Sequence, residues 1–210
     1  TGYGRIIRDT EGNVCKIVEH RDCDDSQRAT REINTGFMAL PVSMLSSTLS
    51  KLENNNDQQE YYLTDLIKLA AAQGDSVTGI YTNDFSSVLG VNNRSDLAQC
   101  EKHYQTRRAQ TYMDAGVTII DPARVTFRGS VSIEPDCSLD INTIIEGPTC
   151  IGSNVVIGAN SIVRGSVLAD GCRIESNCVI EDAHIGASAV LGPFARIRPG
   201  SKLGENVRIG

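Results

Sequence analysis

The sequence predicts a mixed α/β segment followed by a parallel β-helix of hexapeptide repeats. Three observations carry this prediction. Large aliphatic residues recur every six positions from Ile133 to Ile209, with two steps of five. A small or β-branched residue stands two positions before each of them. Neither pattern is present before Gly116, where short apolar runs alternate with segments of helical spacing.

In chain order, "GYGRIIRD" and "VCKIVEH" read as strands joined by a turn at "TEGN". "EINTGFMAL" is a third strand candidate and "VTGIYT" a fourth. Helical patterns cover "VSMLSSTLSKLE", "YYLTDLIKLAAAQG" and "NRSDLAQCEKHYQTRRAQTYMDAG". Leu66, Ile67, Leu69 and Ala70 give the second of these an apolar face. The last is thin in apolar residues and rich in charge, which suits a long, partly exposed connector.

Beyond Gly116 the large series is Ile133, Leu139, Ile145, Ile151, Ile157, Val163, Leu168, Ile174, Ile180, Ile185, Leu191, Ile197, Leu203 and Ile209. The preceding small series runs from Val131 through Cys137, Thr143 and Thr149 to Ala195, Ser201 and Val207. Residues two apart on a strand face the same side. Each hexad is therefore a short strand with one large and one small inward residue, closed by a corner of Gly, Asn, Asp or Pro. Three walls and three corners make a triangular prism of about 18 residues per coil, the left-handed hexapeptide type of β-helix, with about five coils here. Its open C-terminal end predicts further coils or a cap in the intact protein.

The composition narrows the functional classes. A net charge of −6 over 210 residues argues against a nucleic-acid footprint. No apolar run approaches the roughly 20 residues of a membrane helix. Seven cysteines with no CxxC pair argue against a zinc site or a disulfide framework and favour a reducing cytoplasm. Cys137, Cys172 and Cys178 fall on the small inward positions and read as core, whereas Cys150 has no assigned role. Opening without Met and stopping within a repeat, the chain reads as an internal piece of a longer protein.

No Ser-His-Asp set, P-loop or dinucleotide fingerprint can be assembled. His103 lies on the connector and His184 beside an inward alanine, so both should face outward. More telling are "TGYGRI", "IVEH", "EINTG" and "GVNNR". Glycines around Tyr3 let backbone approach a ligand. Glu19 at a strand end can accept hydrogen bonds from sugar hydroxyls. Asn34 offers a donor and an acceptor, as an amide ligand requires. Asn92 can give a carbonyl oxygen to a hard cation such as Mg2+. Read alone, these residues are equally turn and strand-end polar groups. Arg198 follows Ile197 where glycines follow Leu191, Leu203 and Ile209, and so points out of the prism. Arg196 should also point outward, and Arg164 shares the post-aliphatic position, so spacing does not separate them.

The order "TGYGRI", "IVEH", "EINTG", "NNN…EYYLTD", "GVNNR", connector and hexapeptide coils resembles one family over the whole chain. It is the bacterial bifunctional N-acetylglucosamine-1-phosphate uridyltransferase and glucosamine-1-phosphate acetyltransferase. The resemblance implies a Rossmann-like α/β nucleotidyltransferase domain, of which residues 1–92 are the C-terminal part. A connector over 93–116 and the left-handed β-helix of the acetyltransferase domain over 117–210 would follow. It further implies acetyl-CoA and UTP as co-substrates, Mg2+ as the metal, and UDP-N-acetylglucosamine as product, a precursor of peptidoglycan and lipopolysaccharide. The implied protein is a cytoplasmic homotrimer. By the same resemblance Gly4 contacts the sugar nucleotide through its backbone, Glu19 and Asn34 hold the sugar and its N-acetyl group, Asn92 ligates Mg2+, and Arg198 binds the phosphorylated sugar. The nucleotide loop, the metal aspartate and the acetyl-transfer histidine have no counterpart in this sequence, so the chain alone is expected to be inactive. Two alternatives remain: another sugar-1-phosphate nucleotidyltransferase with a β-helix tail, or a non-catalytic trimeric scaffold.

Overall fold

A computed structural model describes residues 2–210. Contacts divide the chain into two units, one reaching to Gly90 and one starting at Val91.

In the first unit β1 (Arg5–Arg8) and β2 (Val14–Val18) form an antiparallel pair. The turn between them is set by Asp9, whose Oδ1 accepts from the backbone N–H groups of Glu11 and Asn13. A short α1 (Asp25–Arg28), capped reciprocally by Asp24 and Gln27, was not foreseen. α2 (Val42–Thr48) continues into a 3-10 turn at Leu49–Lys51. α3 (Asp65–Gln73) is shorter than its pattern and ends at Gly74, whose φ of 84° closes the last turn. It buries Leu66, Ile67 and Ala70, and Ile67 joins Val14 and Ile17 in a small core.

The expected third and fourth strands do not form. "EINTGFMAL" pairs with β1 only through the bridge Arg5–Ile33 and two flanking backbone hydrogen bonds. Asn34 Oδ1 then accepts from the Gly36 N–H at 3.2 Å, and this turn carries the chain off the sheet. "VTGIYT" makes no ladder, and Ile80 is 94% exposed. Among the described residues of this unit β1–β2 is the only sheet, so a Rossmann-like sheet is not formed by them.

The second unit begins with α4 (Arg94–Asp114), capped by Asn93, and only Ala109 of it is buried. A parallel solenoid follows, with three walls. The first wall stacks strands at Thr118–Ile119, Ser138–Leu139, Val156–Ile157, Arg173–Ile174, Val190–Leu191 and Arg208–Ile209. The second stacks Thr126–Arg128, Ile144–Glu146, Ile162–Arg164, Val179–Glu181 and Arg196–Ile197. The third stacks Val131–Ile133, Thr149–Ile151, Val167–Leu168, His184–Ile185 and Lys202–Leu203. The aliphatics from Leu139 to Ile197 are all buried, and Ile133, Leu203 and Ile209 pack at the margins. Corners are turned by left-handed residues, among them Asn142, Asn154, Asn160 and Asn177. The two five-residue steps are the corners at Gly165 and Asp182, both of positive φ.

The free edge of the first coil is covered by α4. Gln105 donates to the Phe127 carbonyl and accepts from its N–H, each at 2.8 Å, as a neighbouring strand would. Arg108 and Tyr112 donate to the carbonyls of Gly129 and Val131, and the Tyr112 ring lies 4.7 Å from that of Phe127.

Candidate functional site

Three of the five candidate residues meet in the first unit. The antiparallel pair sets Gly4, just before β1, beside Glu19, just after β2. A Cβ on Gly4 would lie 3.1 Å from Ile17 Cγ2 and 3.3 Å from Glu19 Oε2, so the approach needs a glycine. The Asn34 N–H donates to the Gly4 carbonyl at 2.8 Å, which brings the third residue in. Thr64, at the head of α3, donates to Glu19 Oε1 at 3.0 Å and fixes that carboxylate. Tyr3 Oη accepts from the Gly90 N–H at 2.6 Å and closes the same edge. The arrangement leaves Glu19 Oε2 as an acceptor and the Asn34 amide nitrogen as a donor, which suits hydroxyl and amide groups of a ligand.

A cleft of ≈490 Å³ includes Glu19 in its lining, with Lys16, Asp22, Tyr62, Asp65 and Lys68. Burial raises the Asp65 carboxyl above its ordinary value, with nearby Asp22 adding to it. Burial likewise pushes the Tyr62 hydroxyl up. Gly4 and Asn34 do not line this cleft.

Asn92 lies in the second unit, exposed, two residues ahead of α4. Its N–H donates to Asp96 Oδ2 at 3.0 Å, and the same oxygen receives the Asn93 amide. Asp96 is thereby committed to capping the helix. Asn92 supplies a single neutral oxygen, and the described residues contain no group of three His, Cys, Asp or Glu that could hold a metal. The residues here therefore do not make a Mg2+ site among themselves.

Arg198 is exposed at the corner between the second and third walls. That corner explains the exception to the glycines. On the other walls the residue after the aliphatic is often pressed against the next coil: a Cβ on Gly186 would fall 2.5 Å from the Gly204 carbonyl carbon, and one on Gly158 2.7 Å from the Ser176 nitrogen. On the second wall that residue faces solvent, and the ladder register aligns Arg128, Glu146, Arg164 and Glu181 in a column of alternating charge. Glu146 Oε2 lies 3.6 Å from Arg128 and 3.4 Å from Arg164. Glu181 takes Arg164 at 3.2 Å and Arg196 at 2.7 Å. Arg198 continues the column, yet its guanidinium makes no hydrogen bond or ion pair with any described residue, and only its carbonyl is engaged, by the Ser201 N–H. Reading the repeat in sixes missed the column, since its signal is a charge at every 17 or 18 residues.

A second column was also missed. Asn142, Asn160 and Asn177 hydrogen-bond one to the next across coils. Phe194 takes the following rung with a φ of 63° and a 76% exposed ring. A bulky residue in that conformation is rare.

These features define a class, proteins carrying a parallel β-solenoid of hexapeptide repeats with an α/β segment ahead of it. Residues 127–210 match the family described as the GMPPB C-terminal domain. Over all 210 residues the chain is 45% identical to the bifunctional protein GlmU of Pseudomonas putida F1 and 46% identical to that of Stutzerimonas stutzeri A1501. The chain is similar to these proteins along its whole length and spans 46% of the length of each. Among solved structures, the acetyltransferase domain of PglB from Neisseria gonorrhoeae aligns at 14% identity and a TM-score of 0.25, covering 50% of this chain and 58% of that one. So loose a superposition adds nothing to the fold read from the strand ladders. No helix among the described residues is long and apolar enough to cross a membrane.

Proposed function

We propose that the chain is part of a cytoplasmic, homotrimeric enzyme making UDP-N-acetylglucosamine in two steps. The observation that carries this reading is the identity of 45% with a bifunctional GlmU protein along the entire chain, through both units. In the first step the amine of glucosamine 1-phosphate attacks the acetyl-CoA thioester. A C–N bond forms, the C–S bond breaks, and coenzyme A leaves as the thiol with the amine's proton. Arg198 contributes here by receiving the sugar phosphate on its unengaged guanidinium, whose fork matches two phosphate oxygens. In the second step a phosphate oxygen of N-acetylglucosamine 1-phosphate attacks the α-phosphorus of UTP and pyrophosphate leaves. Glu19 Oε2 accepts from a sugar hydroxyl, Asn34 meets the N-acetyl amide, and Gly4 lets the sugar nucleotide lie against backbone. Asn92 would offer one oxygen to Mg2+, the remaining ligands coming from outside this chain. The division into 1–92, 93–116 and 117–210 and a left-handed coil belong to the same reading.

The test is formation of UDP-N-acetylglucosamine by the full-length protein from glucosamine 1-phosphate, acetyl-CoA and UTP. The 210-residue chain alone is expected to form none, and turnover by it would refute that expectation. A second reading, another sugar-1-phosphate nucleotidyltransferase with a solenoid tail, is favoured by the match of residues 127–210 to the GMPPB C-terminal domain. Calorimetric titration separates the two. Equal affinity for UDP-N-acetylglucosamine and UDP-glucose would support the second reading.

A further inference from the structure

We propose that Arg196 is a positioning residue that keeps Arg198 free for phosphate by occupying Glu181. The inference rests on the reading of Arg198 as a phosphate clamp and concerns why that guanidinium is available. Along the second wall every charge in the corner column has a partner of opposite sign until Arg198. The pairing Ile180–Ile197, extended by one residue, sets Glu181 beside Arg198. Glu181 is thus the neighbour that would capture it, as Glu146 captures Arg128 and Arg164. It does not, and each of its oxygens already has an arginine donor that offsets its charge. Oε1 receives Arg164 Nη1 at 3.2 Å, and Oε2 receives Arg196 Nη2 at 2.7 Å. The Glu181 side chain is 20% exposed against 59% for Arg196, so the carboxylate is the more enclosed partner and the arginine reaches in from the wall.

Arg196 lies one residue before the inward Ile197 and Arg198 one residue after it, so the two flank a single strand position on the outer surface. Four arginines, at 128, 164, 196 and 198, share two carboxylates, and the surplus positive charge collects at the Arg198 end. Without the Arg196 charge Glu181 Oε2 would lose its donor, and the nearest unengaged cation in register is Arg198. An internal ion pair would then compete with the external phosphate. An exposed pair of this kind is worth little in absolute terms, enough to weaken phosphate binding by about fivefold.

The experiment measures glucosamine 1-phosphate affinity by calorimetry, with KM and kcat for acetyl transfer, in the full-length protein. Arg196→Met should weaken affinity about fivefold and raise KM with kcat retained. Arg196→Lys, which keeps a cation on Glu181, should bind like the parent. Adding Glu181→Gln to Arg196→Met removes the competing carboxylate and should restore binding, which loss of packing could not do. If Arg198→Met leaves affinity unchanged, the clamp itself is wrong. If Arg198→Met weakens binding while Arg196→Met does not, the positioning role is overturned with the clamp intact. Failure of Glu181→Gln to restore Arg196→Met overturns it too, and would mean that Arg196 touches the ligand directly.

Discussion

Phe194 and the inward cysteines show how one position on a repeating scaffold can be tuned without altering the coil. Phe194 holds a left-handed conformation that its predecessors on the same corner assign to asparagine. That backbone costs a non-glycine residue about 1–2 kcal/mol. Phe194→Asn should therefore raise the stability of the second unit by about 1 kcal/mol, read from the urea midpoint at constant m-value, and extend the Asn142–Asn160–Asn177 ladder by a rung. Persistence of an exposed, strained aromatic argues that it answers to something other than stability. The thiols of Cys137, Cys172 and Cys178 are pushed above their ordinary value chiefly by burial, so little thiolate is present at neutral pH. Iodoacetamide at pH 8 should modify exposed Cys150 quickly and those three only as fast as the coil opens. Equal rates for all four would contradict the inward placement.

At the scale of elements, the solenoid was legible and the first unit was only half so. A hexad repeats the same demand at every corner, so each aliphatic independently reports one wall, and the agreement of many positions outweighs any local ambiguity. β1, β2 and α3 had patterns of their own, but the segment after Glu32 did not. Its apolar residues promise a strand, yet the Asn34–Gly36 turn removes it from the sheet after one bridge. Gly4, Glu19 and Asn34 were singled out by the resemblance, since read alone they were equally turn and strand-end polar groups, and the structure brings the three together. Thr64 was missed because a hydroxyl 45 residues from Glu19 carries no local signal. Beside the Arg5–Ile33 bridge, a pair of hydrogen bonds from Arg8 to Glu32, at 2.8 and 2.7 Å, ties this region to β1. The Glu32 carboxyl is held below its ordinary value, first by that hydrogen bond. Its contribution is therefore present above the unfolded carboxyl value of about 4.3 and lost as pH falls through the lower folded value. Glu32→Gln should lower the urea midpoint at pH 7, and the difference from the parent should shrink as pH falls below about 4. A difference independent of pH would exclude the linkage.

For the whole molecule, the two units hold separate cores, one around Val14, Ile17 and Ile67 and the other running the length of the solenoid. The cores differ greatly in extent, so they should not open together. Amide exchange is expected to protect the second unit's wall strands long after β1 and β2 have exchanged, and a single common rate would refute this. Within the solenoid each coil touches only its neighbours, so its stability is a sum of nearest-neighbour contacts. A stack of that kind can in principle grow without limit wherever a rung presents unpaired amides. Gln105 removes that opportunity at the first coil: its side-chain amide answers both the N–H and the carbonyl of Phe127 and leaves no vacant pairing for an incoming strand. The helix is thus a stopper against head-to-tail fibril seeding along this edge, with Gln105 as its central peg beside Arg108 and Tyr112.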